Sequence, residues 1–431
     1  MKSGKRLLAF LCASALTLAL AGCSGSEAEK PTPEAVDPMR VFLEPWYQDL
    51  DSHAEESATV LVVGDSISEG SMTNVDVLTA RWQASLQRQL RTSVGIDGAV
   101  GFVPPYWGDV MSTEATLQSG VPSEERRFGP WGLGGRALIM PGGASITYPP
   151  LTANRIRVGY GISNFGGGQA KVHIDGFDVT AQGTLGGLQD EIPGTTPSGT
   201  PDEDEPRASD DPTEVGPTIF GASATASQAG LWWTSPELGP GPHTVRVDSI
   251  AQRFGFVHTG VEYVSSPLDP VTGEERNVGV HVLDASQAGA TAAEFASKNA
   301  EAGTWTEARA RDADLVLVNL GSNEEEKYEE SLKIVVDRAL EAAPEALVLV
   351  VDGYEPGTWE HEDWEKVRAA RRNVVDQYDE GVALFDLAAQ WPELAKDGST
   401  SQGLMAEVPP LHLTPQGQQR MADIFTEWLT R

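Results

Sequence analysis

The sequence predicts a doubly wound α/β domain, a parallel sheet covered by helices in three layers, interrupted by an inserted all-β domain. Three observations carry this. Short Val/Ile/Leu runs near residues 60, 280, 317, 349 and 383 alternate with stretches whose apolar residues recur at helical spacing. Between about 93 and 276 that texture gives way to Gly/Pro-rich segments with period-two runs. With two cysteines in 431 residues, the fold must rest on core burial and not on disulfides.

Lys2, Lys5 and Arg6 precede an apolar run, Leu7 to Leu20, that is too short to span a bilayer. Residues 1–22 therefore read as a signal segment. Its end, Leu20-Ala21-Gly22-Cys23, resembles the lipobox of bacterial lipoproteins. That resemblance implies a lipidated Cys23 and an anchor at the extracellular face of the cell membrane. Cys12 would leave with the signal, so no internal disulfide can form. Residues 23–57, with Pro31, Pro33 and Pro38, read as a tether. A net charge of −32 argues against nucleic acid as a partner and against attraction to anionic headgroups, leaving lipid as the only route to a membrane.

The α/β domain is expected from residues 58–92 and 277–431. Its strands are predicted at Val60 to Val63, Val278 to Leu283, Leu315 to Leu320, Leu347 to Val351 and Val382 to Phe385. Leu78, Trp82, Leu86 and Leu90 mark its first helix, and Met421, Phe425 and Trp428 its last, with Thr414 as N-cap and Pro415 at the first position. Residues 93–276 are assigned to a β sandwich or jelly-roll. Within them, 185–217 is acidic and of low complexity, and reads as a solvated loop; counted from Asp202, an EF-hand would need Gly where Arg207 stands.

Strand Val60 to Val63 runs into Gly64-Asp65-Ser66-Ile67-Ser68, placing a serine where a strand's carboxyl end meets a helix. Alone, this block is equally a polar turn. Three later segments change the balance: Asp284-Ala285-Ser286-Gln287-Ala288-Gly289-Ala290-Thr291, Gly321-Ser322-Asn323-Glu324 and His412-Leu413-Thr414-Pro415-Gln416-Gly417. In type and order the four resemble the conserved blocks of the SGNH/GDSL hydrolases. The resemblance implies Ser66 as nucleophile with Asp65 supporting it, Gly289 and Asn323 as oxyanion donors, and His412 as general base. Gly98-Ala99-Val100-Gly101 is the other candidate for the second block, but Phe102-Val103-Pro104-Pro105 comes after it where a helix is needed.

The chain departs from the family pattern at Asp284 for Asn, at Glu324 for Asp, and at Pro409, which occupies the usual place of the acid that orients the histidine. Glu407, a backbone carbonyl or an acid elsewhere remain open for that role; Asp386 ends a strand and reads as structural. No Gly-x-Ser-x-Gly, His-Glu-x-x-His or phosphate-loop pattern is present, and neither metal nor cofactor is expected. Trp359 to Asp363 read as a solvated helix start. The resemblance implies a serine ester hydrolase. Trp107, Trp131, Trp232 and Trp233, as sugar platforms or as core, make short-acyl removal from a surface or extracellular carbohydrate the first expectation. A lipase, arylesterase or thioesterase, or a decayed hydrolase serving as a glycan-binding lipoprotein, are the alternatives.

Overall fold

The computed structural model describes residues 37–71, 80–96, 101–105, 116–118, 131–162, 168–187, 219–220, 228–239, 241–250, 255–264, 278–324, 326–395, 397 and 402–431. The signal segment, Cys23, the second-block candidate's residues 98–100, Trp107 and the acidic stretch from 188 onward lie outside them.

Five parallel strands form the central sheet: β1 (Ala58–Gly64), β2 (Val280–Asp284), β3 (Leu315–Asn319), β4 (Leu347–Asp352) and β5 (Val382–Asp386). Their spatial order is β2-β1-β3-β4-β5. Alternate residues of β1 feed two cores, as the period of a strand requires. Leu61 and Val63 join Leu332, Val335 and Val336 of one helix (Tyr328–Ala342) and Trp364, Val367 and Val374 of another (His361–Val375). Val60 and Val62 join Trp82, Leu86 and Leu90 (helix Trp82–Ser93) and Met421, Ile424 and Phe425 (helix Pro415–Leu429). Because both faces are covered, the strands read as continuous apolar runs.

The 37–57 stretch does not behave as the expected tether. Pro38–Phe42 and Glu44–Asp51 are helical, and Leu43, Trp46, Tyr47 and Leu50 are buried against Val60, Phe425 and Leu429. The reason lies in the last helix, whose final carbonyls have no partner within it. Arg40 Nη1 donates to Thr430 O at 2.6 Å, Trp46 Nε1 to Leu429 O at 2.9 Å and Tyr47 Oη to Trp428 O at 2.8 Å. Arg40 also brings a cation to the negative end of that helix.

Among the described residues the antiparallel strands form one two-stranded sheet, Leu151–Thr152 with Pro242–His243, and two six-stranded sheets. One holds Gln228–Thr234, Arg155–Ile162 and Phe256–Val264 as neighbours, the other Gln169–Ile174, Val245–Ser249 and Ser145–Thr147. Val158, Tyr160 and Val261 of the first share a core with Ile146, Val172 and Val247 of the second, so the unit is a sandwich. Residues 185–187, expected in the solvated loop, belong instead to strand Thr184–Gly187, paired with Gln228–Thr234.

Strand Phe256–Val264 is buried on both faces because its outer face meets the α/β domain. There Glu262 accepts a 2.6 Å bond from Arg311 of helix Thr306–Arg311, and Phe102 joins the α/β core. Among the described residues, no helix is long and apolar enough to cross a membrane.

Candidate active site

The order β2-β1-β3 puts the topological switch of the sheet at β1, and open α/β sheets hold ligands at that carboxyl edge. There β1 turns into the short helix Ser66–Glu69. Asp65 caps it, Oδ1 accepting from Ile67 N at 2.9 Å, and a Cβ on Gly64 would collide with the Ser68 side chain. Oδ2 of Asp65 accepts from Ser322 N, just past β3, at 3.4 Å. The Asp65 carboxyl is raised by burial, with the Ile67 and Ser322 bonds opposing.

Ser66 Oγ lies 2.9 Å from His412 Nε2, and His412 Nδ1 lies 2.7 Å from Glu407 Oε1. The separation of 346 positions between Ser66 and His412 is closed by the fold alone. A carboxylate can only accept, so Nδ1 carries the proton and Nε2 is free to take one from Ser66.

Glu407 is the acid found beside the imidazole, and a small hairpin explains how it arrives. Met405 pairs antiparallel with Leu413, flanked by Ala406 N to His412 O at 2.8 Å and Thr414 N to Leu404 O at 2.9 Å. That pairing sets Ala406 opposite His412 and brings the next residue, Glu407, beside it, where Oε1 also accepts from His412 N at 2.7 Å. Gly357 N to Pro410 O and Tyr354 Oη to Leu411 O pin the hairpin, and Thr414 caps the last helix through Gly417 N.

Backbone accounting singles out two amides beside Ser66. Along 285–292, Ala285 N donates to Val62 O, Ser286 N to Asp284 Oδ1, Gln287 N to Gly64 O, Ala288 N to Glu69 Oε2, Ala290 N to Gln287 O, Thr291 N to Glu294 Oε2 and Ala292 N to Glu324 Oε1. Gly289 N, in a residue with φ of 76°, has no partner among the described residues, and neither has Ser66 N. Asn323 Nδ2 gives one hydrogen to Ala290 O at 3.1 Å, which holds the third block beside the second and leaves its other hydrogen for a ligand.

Glu324 sits half-buried beside Asp65, Glu294 and Arg371, and burial pushes its carboxyl up from 4.5 to about 7. The folded state therefore holds this proton more tightly than the unfolded chain does. Its contribution favours folding below pH 4.5 and is lost as pH rises from there to about 7. Glu324→Gln keeps an acceptor for Ala292 N and removes the titration. Between pH 5 and 7.5 the parent should lose about 1–2 kcal/mol of stability that the variant keeps. Parallel melting-temperature profiles would refute this.

Sequence reasoning missed a cluster behind Ser66: Glu69, Arg81, Arg136 and Asp284, all buried. Burial raises the Glu69 carboxyl despite Arg136. It works against Asp284 too, yet Arg136 and Arg81 hold that carboxylate below the usual range. Charged residues in polar surroundings give no signal of this kind. Of the other candidates, Asp386 Oδ1 accepts from Ala389 N, and His361 bonds Glu355 at the start of its helix. Trp131 and Trp233 are buried, which selects core over sugar platform for these two, and Trp232 is half-buried with Arg157 and Arg311 over its ring. Among the described residues no group of three or more His, Cys, Asp and Glu could hold a metal ion.

A family model described as the GDSL-like Lipase/Acylhydrolase family matches residues 248–420. That range includes Gly289, Asn323 and His412 and begins after Ser66, which the insertion separates from them. No curated protein matches the chain. Among solved structures, a peptidoglycan O-acetylesterase aligns with a TM-score of 0.56 at 16% identity, covering 89% of this chain and 94% of that one. A carbohydrate esterase family 2 enzyme with a carbohydrate-binding domain from Corynascus thermopiles (Myceliophthora fergusii) aligns at 0.29, with 12% identity over 73% of this chain and 98% of that one. A family two carbohydrate esterase from Cellvibrio japonicus aligns at 0.28, with 12% identity over 76% and 98%. The first of these likenesses extends to the fold.

Proposed function

We propose that this chain, which belongs to the GDSL-like lipase/acylhydrolase family, is a serine carboxylic ester hydrolase that removes acetyl or other short acyl groups from a carbohydrate. The observation that carries the reading is the line Ser66–His412–Glu407 ending beside two backbone amides with no protein partner among the described residues.

In the reaction His412 Nε2 takes the Ser66 proton as Oγ attacks the ester carbonyl. The amides of Ser66 and Gly289 and the spare Asn323 hydrogen hold the oxyanion, and Glu407 balances the imidazolium. His412 then returns the proton to the departing alcohol. Water, deprotonated by the same imidazole, attacks the acyl-enzyme and releases the acid and Ser66. No step needs a metal.

The carbohydrate is the finer part of the proposal, and the likeness in fold to a peptidoglycan O-acetylesterase supports it. The test is acetate release from O-acetylated peptidoglycan and O-acetylated xylan, compared with hydrolysis of p-nitrophenyl acetate and p-nitrophenyl palmitate. Release from one of the glycans, with the palmitate ester untouched, is the expected result. Palmitate hydrolysis without glycan deacetylation would make it a lipase. Failure of a fluorophosphonate to label Ser66 would leave a binding protein.

A further inference from the structure

The 285–292 loop is fastened by side chains that come from two parts of the fold. Glu69 stands on the same helical turn as Ser66. Its Oε2 accepts from Ala288 N at 2.8 Å and from Ser71 Oγ at 2.9 Å, while Oε1 lies 3.4 Å from Arg136 Nη1. Arg136 Nη2 donates to Asp284 O at 2.7 Å and lies 3.0 Å from Asp284 Oδ2. Arg81 pairs with the same Asp284 carboxylate and donates to Phe102 O at 2.8 Å. These four side chains are at most 2% exposed and their charges cancel.

Arg136 and Phe102 belong to the stretch between β1 and β2 that builds the sandwich. So does Gly134, at φ 67°, where a Cβ would stand 2.8 Å from Ser286 O and 3.0 Å from Ala285 O. The inserted chain thus lies directly on the oxyanion loop.

Two buried ion pairs are a poor source of stability, since apolar residues of like volume often do as well. The quartet supplies position instead. Ala288 N precedes the Gly289 amide by one peptide, and its anchor is the carboxylate three residues after the nucleophile. Glu69 therefore couples the Ser66 amide to the Gly289 amide through one rigid turn, and Arg136 fixes the Glu69 carboxylate from behind. We infer that Glu69 and Arg136 are positioning residues that set the separation of the two backbone oxyanion donors, which makes the β insertion part of the acyl-transfer machinery. This rests on Ser66 being the nucleophile.

The test is a kinetic series on p-nitrophenyl acetate with melting curves recorded in parallel. Removing an oxyanion donor costs about 10²–10³ in kcat, and misplacing one should cost nearly as much. Glu69→Leu and Arg136→Met are expected to lower kcat about 100-fold with KM within about twofold. Glu69→Gln, which keeps an acceptor for Ala288 N but not the charge facing Arg136, should recover only part of that, leaving kcat about tenfold below the parent. A folded Glu69→Leu protein with parental kcat would overturn the inference, because a merely structural residue lowers the melting temperature alone. Should the Leu and Met variants fail to fold, the isosteric Gln decides: kcat equal to the parent's sinks the idea. Ser66→Ala run beside the series separates the two readings, since activity surviving there removes the nucleophile itself.

Discussion

Ser66→Ala should reduce kcat on p-nitrophenyl acetate by about 10⁴-fold or more while the protein still folds. Removing one oxygen beside His412 leaves a void no larger than a hydroxyl, in a pocket where Ser66 is 6% exposed, so little stability is at stake. The chemistry loses its covalent route altogether. Only the two amides and the Asn323 side chain remain to act on a carbonyl, and the rate such residual donors supply over water is small beside the loss of nucleophile and base. His412→Ala should fall in the same range and not multiply with it, because the two act as one unit through their 2.9 Å contact. Hydrolysis persisting in Ser66→Ala would place the nucleophile elsewhere, and active-site titration with a fluorophosphonate would then report which serine carries it.

Much of this site was legible because its parts lie where periodicity changes. β1 carries a run of four aliphatic residues, Val60 to Val63, that reads as a strand buried on both faces, and Gly64-Asp65-Ser66 then reads as the turn at its carboxyl edge. Thr414-Pro415 marks a helix start on local grounds, and the structure caps that helix through Thr414 as the residue types require. The remainder depends on contacts that leave no local trace. Glu407 is one acid among 63 acidic residues until Met405 is seen to pair with Leu413. Pro409 invited doubt only because the acid was sought at a fixed distance along the chain, whereas a hairpin brings it back from five residues away. The helices at 38–51 were hidden behind prolines that suit a tether as well as a helix start. Their reason to fold is a set of carbonyls at the far end of the sequence. Arg81, Arg136, Glu69 and Asp284 look like solvated charges until the fold buries them together.

Glu407→Ala is expected to lower kcat about 10³-fold and Glu407→Gln only about 10–100-fold, with KM little changed in both. The difference arises because one oxygen does two tasks. Glu407 Oε1 accepts from His412 Nδ1 and from His412 N, both at 2.7 Å. Two donors converging on one point hold the amide oxygen of a glutamine there and turn its NH₂ away. The imidazole should then keep its tautomer and direction and lose only the negative charge that steadies the imidazolium. That charge is worth a few kcal/mol at this range in a screened environment, and less here because the Glu407 side chain is 31% exposed. Alanine removes orientation and charge together and frees the ring to turn away from Ser66. If alanine and glutamine fall equally far, the charge matters and the orientation does not. If neither changes kcat, solvent or a backbone carbonyl orients His412, and the site works as a dyad.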